Sequence, residues 1–195
     1  MLDCDNTLWK GVVGEDGIDG IICDFNHDGI QYLHFQEFLK TRQVMGFILC
    51  LCSKNNVDDV EEVFRNKRMP LNWDDFVVKK VNWEPKNINI ESIAKELNLG
   101  LESFIFIDDS DFELNVVKDN LPEVTVFKMT NEYEEMLEIT QKIEFEKKSI
   151  TKEDITKTQQ YQIEQKRIAQ TSQSSSKKNY FDELEIQLII EENQI

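Results

Sequence analysis

Four short, largely apolar runs punctuate the first two thirds of the chain: Phe47–Cys52, Phe76–Val81, Phe104–Ile107 and Val124–Phe127. The apolar residues are continuous rather than alternating, as in strands of a parallel sheet buried on both faces. Helical periodicity fills the gaps. Ile30–Met45 carries an imperfect apolar stripe of Leu33, Phe35, Phe38 and Leu39, and 57–66 opens with the acidic turn Asp58, Asp59, Glu61 and Glu62. Ile90, Ile93, Ala94 and Leu97 fall at i, i+3, i+4 and i+7, with Gly100 placed to cap the helix just past its end. A further helix is predicted over 112–119. Strands alternating with helices across short turns predict an α/β fold with a mainly parallel sheet.

The two ends of the chain break this rhythm. Only Met1 and Leu2 precede the polar Asp3-Cys4-Asp5-Asn6-Thr7, too short a run for a central strand. Most of a first strand is therefore expected to lie outside this sequence, within a longer gene product. Three glycines between Leu8 and Ile18 predict a loop or small hairpin flap rather than a helix, and 23–29 reads as turns. No insert after the first polar motif is large enough for a cap domain. From Asn131 the chain becomes polar, with helices expected over 131–148 and 151–169, the second opened by a capping-box variant at Thr151–Asp154. A core domain is thus expected over 1–148, a helical extension over 149–169 and a Ser/Gln/Lys linker over 170–179. Apolar alternation resumes in 180–195, as at the start of a further domain.

Composition narrows the class. The 195 residues suffice for one ordinary domain and some extra length, and their net charge of −16 argues against nucleic acid and anionic membranes as partners. No apolar run reaches the length of a membrane span, and no signal peptide is visible. Cys4, Cys23, Cys50 and Cys52 lack metal-type spacing, and His27 and His34 are the only histidines. Buried, reduced cysteines in a cytoplasmic protein are the expectation.

Against this frame the polar clusters gain meaning. Asp3/Asp5/Thr7, Ser53/Lys54/Asn55, Lys86 and Asp108/Asp109 each follow a predicted strand or the turn after it. In a doubly wound sheet that edge is where ligands bind. Each cluster alone could be a solvated turn, but together they suit phosphoryl transfer assisted by a metal. Several carboxylates can hold magnesium, and one can attack phosphorus. A hydroxyl and a lysine can hold the phosphate oxygens.

The set Asp-x-Asp-x-Thr, Ser, Lys, Asp-Asp resembles the haloacid dehalogenase superfamily, and its flanks resemble the FkbH-like branch. The stretches are DCDNTLWKGVVGEDG at 3–17, SKNN at 53–56, NWEPK at 82–86, FIDDSDFE at 106–113 and FEKKSITKED at 145–154. The resemblance implies a Rossmann-like, doubly wound sheet with a small flap, and Mg2+ as cofactor. It implies Asp3 as nucleophile and metal ligand, and Asp5 as the proton donor and acceptor that also touches the metal through its carbonyl. Thr7, Ser53, Asn55 and Lys86 would hold phosphate, while Asp108 and Asp109 would complete the metal site. The branch further implies a phosphorylated glyceryl donor, an acyl carrier protein as partner, and Cys4 as a candidate acyl carrier. Adjacent carboxylates disfavour a thiolate at Cys4, and strand alternation points it away from them. Two positions depart from the branch: Asp111 stands where it often has Pro, and Leu114 where it often has Arg.

Three other readings compete. A simple small-molecule phosphatase would use the same residues. A receiver-type phospho-acceptor would need a different strand order and no Asp-x-Asp-x-Thr. A degenerate interaction module would keep the fold without the chemistry, although all the motif residues are present.

Overall fold

The computed structural model describes residues 1–25 and 28–143, together with Gln160, Tyr161, Ile163, Glu164 and Arg167. The chain divides into two compact units, Met1–Thr158 and Gln159–Ile195. In the second, the described residues are helical, and Arg167 pairs with Glu164 at 3.1 Å. His27, most of the expected 151–169 helix with its capping box, the 170–179 linker and the 180–195 segment lie outside the described residues.

In the first unit, strand β1 (Leu49–Ser53) pairs in parallel with β2 (Phe76–Val81), and β3 (Ile105–Asp108) pairs in parallel with β4 (Thr125–Lys128). Met1–Asp3 lies between the two pairs. Leu2 bridges in parallel to Leu51 on one side and to Ile107 on the other. Its N–H donates to the Cys50 carbonyl at 2.9 Å, and the Asp3 N–H donates to the Ile107 carbonyl at 3.0 Å. Three residues therefore do the work of a central strand, in the lateral order β2, β1, Met1–Asp3, β3, β4. The α-amino group of Met1, itself buried, donates to the Ile105 carbonyl at 2.6 Å. No residue of β1 is exposed, as its unbroken apolar pattern requires.

Helices α1 (Val13–Gly20), α2 (Ile30–Val44), α3 (Val57–Asn66), α4 (Lys86–Leu97), α5 (Asp111–Asn120) and α6 (Tyr133–Lys142) surround these strands, with short 3-10 turns at Trp73–Asp75 and Leu101–Ser103. The apolar stripe of α4 buries Ile90, Ile93, Ala94 and Leu97, as periodicity predicts. Extended one turn back, the same stripe reaches Asn89 and Lys86, which are also buried. This placement turns a lysine inward. Behind β1 and β2, Phe64 meets the rings of Trp9 and Phe76 edge-on, both at 5.5 Å. Large buried side chains of this kind each stabilise the fold by about 1.5–3 kcal/mol.

Two local expectations need correction. Residues 13–20 form a short helix rather than only a flap, kinked at Gly17, whose backbone sits at φ 63. Glycine tolerates that angle, and the Asp16 carboxylate stabilises the start of the helix by accepting from the Val12 N–H at 2.7 Å. The hairpin character survives at its ends, where Lys10 and Ile22 form an antiparallel bridge. At the end of α4, Asn98 rather than Gly100 takes the left-handed cap conformation, at φ 52. An asparagine adopts that region more readily than most residues, so the helix stops two residues earlier. Among the described residues, no helix is long and apolar enough to cross a membrane.

Candidate active site

The carboxyl ends of Met1–Asp3, β1 and β3 lie side by side and deliver Asp3, Ser53 and Asp108 to one edge of the strands. Lys86, the first residue of α4, comes to them across the end of β2. All four are buried. The Lys86 ammonium lies 3.0 Å from Asp3 Oδ1 and donates a very short hydrogen bond to Asp108 Oδ2. Asp3, Asp108 and the half-buried Asp109 each offer a carboxylate oxygen within 4.8 Å of the others.

The electrostatics follow from burial. Asp108 loses all its solvation and faces Asp3, so its carboxyl is pushed up to about 6 although Lys86 and the Ser110 N–H favour the anion. Asp109 is raised for the same two reasons, burial first and Asp3 second. Burial pulls Lys86 down, but Asp3 and Asp108 together outweigh it, and the ammonium is held charged. The attraction between Lys86 and Asp108 is reciprocal, but Asp3 favours the charged form of Lys86 and disfavours that of Asp108. We take Asp108 as the strained partner, because it alone is fully enclosed and also borders a like charge.

Asp5 sits apart from this cluster in a cage of donors. Its Oδ1 accepts from the Trp9 indole N–H at 2.9 Å and the Val13 N–H at 3.2 Å, and its Oδ2 accepts from Asn55 Nδ2 at 2.9 Å. Burial nevertheless raises its carboxyl above the usual range. Asn55 Nδ2 also reaches Ser53 Oγ at 3.3 Å, linking the two side chains. Thr7 is buried below a tight turn in which the Leu8 N–H returns to the Cys4 carbonyl at 2.8 Å, and its own hydroxyl makes no hydrogen bond. Cys4 is fully enclosed, and burial, then Asp3, drives its thiol well above the usual range. All four cysteines are free and buried.

The structure therefore brings Asp3, Lys86, Asp108 and Asp109 into one cluster, with Ser53 beside them at the same edge. Asp5, Ser53 and Asn55 form a chain of contacts, while the Asp5 side chain stays outside the group that could share an ion. Other partners carry little signal in the sequence. Trp9 holds Asp5 from a stretch without periodicity. Asn6, in a left-handed conformation at φ 50, accepts from the Gly11 N–H at 3.0 Å and hydrogen-bonds Asp109. Lys54 pairs with Glu113 at 2.6 Å, tying the loop after β1 to the first turn of α5.

The donor set fits a small hard cation. Oxygens around magnesium stand about 2.9 Å apart in cis and about 4.2 Å in trans. The three carboxylate oxygens lie within 4.8 Å of one another, a span of that order, and no soft ligand is among them.

Fold and site together define a mixed α/β domain carrying a buried carboxylate–lysine cluster at the carboxyl ends of parallel strands. No family model matches the chain, and no curated protein matches it. Among solved structures it is similar to the N-terminal part of the protein BF1531 from Bacteroides fragilis, described as containing a phosphatase domain complexed with Mg. The two share 42% sequence identity with a TM-score of 0.66, over 70% of this chain and 37% of that one. The likeness is one of sequence as well as fold, and the chain spans little more than a third of its neighbour's length.

Proposed function

We propose that this chain carries a magnesium-dependent phosphatase or phosphotransferase domain of the haloacid dehalogenase type. The observation that carries the reading is the buried cluster of Asp3, Asp108 and Asp109 around Lys86. The magnesium-bound phosphatase domain of the similar structure supports it. So does the lateral order of the parallel strands, which suits a doubly wound sheet.

Asp3, Asp108 and Asp109 would hold the ion, together with the Asp5 carbonyl. When bound, it supplies positive charge that screens the carboxylates and polarises a phosphoryl oxygen. An Asp3 carboxylate oxygen attacks phosphorus while the bond to the leaving oxygen breaks, giving an aspartyl-phosphate. Asp5, whose proton affinity burial raises, gives its proton to that oxygen. As a carboxylate, Asp5 then takes a proton from water. The resulting hydroxide attacks phosphorus, restoring Asp3 and releasing inorganic phosphate. Lys86 neutralises Asp3 and the incoming phosphoryl oxygens, and Ser53 and Asn55 line the same edge.

The experiment is magnesium-dependent release of phosphate from p-nitrophenyl phosphate. Turnover by the wild type and its abolition in Asp3→Asn are expected. No turnover by folded protein, with or without magnesium, would overturn the reading and leave the non-catalytic module.

Within this reading, the flanking stretches at 3–17, 53–56, 82–86 and 106–113 favour the FkbH-like branch. The physiological donor would then be a phosphorylated glyceryl compound and the acceptor an acyl carrier protein. Mass spectrometry of a carrier protein incubated with enzyme and donor tests this, through a glyceryl adduct that requires the enzyme. Cys4 is left out, because it is enclosed and its thiol is held protonated.

A further inference from the structure

Beside the carboxylate cluster opens a polar cavity of about 350 Å³, lined by Asn6, Asp109, Lys128, Met129, Thr130 and Asn131. Asp109 belongs to both the cavity and the cluster, so whatever occupies the cavity stands next to the carboxylates. Asn131 is exposed at its mouth, yet two buried side chains of α2 hold it. Tyr32 donates its hydroxyl to Asn131 Oδ1 at 2.5 Å, and Gln31 Nε2 donates to the Asn131 carbonyl at 3.1 Å. With its oxygens engaged from behind, the side chain has its Nδ2 donor left to offer. The Thr130 hydroxyl accepts from the Glu132 N–H at 3.3 Å and closes the turn. Lys128, the cation of the cavity, is drawn to Asp111 at 2.5 Å.

We infer that this cavity is the subsite for the leaving group, and that it selects hydroxylated leaving groups over apolar ones. The inference rests on the phosphoryl-transfer reading of the adjoining cluster. The chemistry favours hydroxyls because the wall presents an amide donor and the carboxylate of Asp109. A hydroxyl both accepts and donates, so one polyol can satisfy the two. An alkyl group would leave the Asn131 amide unpaired once water is displaced.

The test compares erythritol 4-phosphate with n-butyl phosphate, which differ by hydroxyl groups alone. The wild type should show the higher kcat/KM for the polyol ester by about tenfold or more. Asn131→Asp keeps an acceptor for Tyr32 and the side chain's shape but deletes the donor. In it the ratio of the two kcat/KM values should fall by about three- to tenfold, through KM of the polyol ester. Tyr32→Phe, which frees Asn131 to turn, should lower the same ratio, whereas a merely structural tie would lower stability and leave it alone. Independently of turnover, the side-chain amide resonance of Asn131 in Asp3→Asn protein should shift on titration with erythritol 4-phosphate. A wild-type ratio near one, or no shift, overturns the subsite. Absence of turnover on both esters and on the aryl phosphate instead defeats the reading of the site itself.

Discussion

Replacing Asp108 with Asn should make the metal-free protein more stable while abolishing its chemistry. Asp108 is fully enclosed, and burial, then Asp3, pushes its carboxyl up to about 6 from the ordinary 3.8. An acid that binds its proton more tightly when folded stabilises the protein fully below about pH 4. That contribution is lost as the pH rises through about 6. At about 1.36 kcal/mol for each tenfold change in proton affinity, the interval costs the folded protein about 3 kcal/mol at pH 7.5. Asparagine keeps the shape and an acceptor for the Ser110 N–H, now at 2.8 Å, but carries no charge to desolvate. The assay is urea unfolding of the full chain in EDTA. The variant should be more stable by up to about 3 kcal/mol at pH 7.5, with the gap reduced to about 1 kcal/mol at pH 4.5. Added magnesium should raise the midpoint of the wild type and do much less for the variant. A variant less stable at pH 7.5, or a gap equal at both pH values, would refute the reasoning. Either would mean that the attraction between Lys86 and Asp108 outweighs the desolvation of the carboxylate.

Other perturbations test the surroundings of that pair. Lys86→Met leaves Asp3 and Asp108 buried without their cation and should cost about 3–5 kcal/mol in EDTA. A loss below about 1 kcal/mol would show that Lys86 is not what balances them. Trp9→Phe removes one donor from ionised Asp5, so the limb of the kcat/KM profile that reports Asp5 should move to higher pH. An unmoved limb, with only a lower unfolding midpoint, would reduce Trp9 to a packing residue. At the end of α4, Asn98→Gly relieves the left-handed backbone of an exposed residue and should stabilise by about 0.5 kcal/mol in the same urea assay. Any destabilisation would mean that the asparagine side chain supports the cap.

Continuous apolar runs made the paired strands legible, because a strand buried on both faces leaves an unbroken pattern. Helix α4 was equally legible from Ile90, Ile93, Ala94 and Leu97. The same periodicity, carried back one turn, also orients Lys86, although a lysine at a helix start reads most simply as solvated. The short helix at 13–20 was hidden because its glycines signal turns, and only the kink at Gly17 reconciles them with helical backbone. The cap at Asn98 was hidden because asparagine and glycine compete for left-handed positions, and the sequence offered both. Motif spacing brought out Asp3, Ser53, Lys86, Asp108 and Asp109, since each ends or follows a regular element. The cage around Asp5 depends on irregular loops, where spacing says nothing of direction. Trp9, Val13 and Asn55 converge on one carboxylate from three stretches of chain.

On the proposed reading, the charge balance of the site calls for a cation before an anion can enter. Asp3, Asp108 and Asp109 set three carboxylates against the single ammonium of Lys86, a surplus of two negative charges when all are ionised. A phosphate dianion brought to Asp3 under those conditions would add repulsion in a poorly solvated space, where it is weakly screened. A divalent cation is opposite to that surplus in sign and equal to it in size. The lysines near the site in the chain do not supply the missing charge. Lys54 is drawn to Glu113 at 2.6 Å, Lys128 to Asp111 at 2.5 Å, and Lys10 to Asp28 at 3.0 Å. The net charge of −16 gives no long-range attraction either. On the proposed reading, recognition of an anionic substrate would then arise at short range, from the ion and from Lys86. On that account raised salt should weaken phosphate binding only mildly, while removal of magnesium should abolish it.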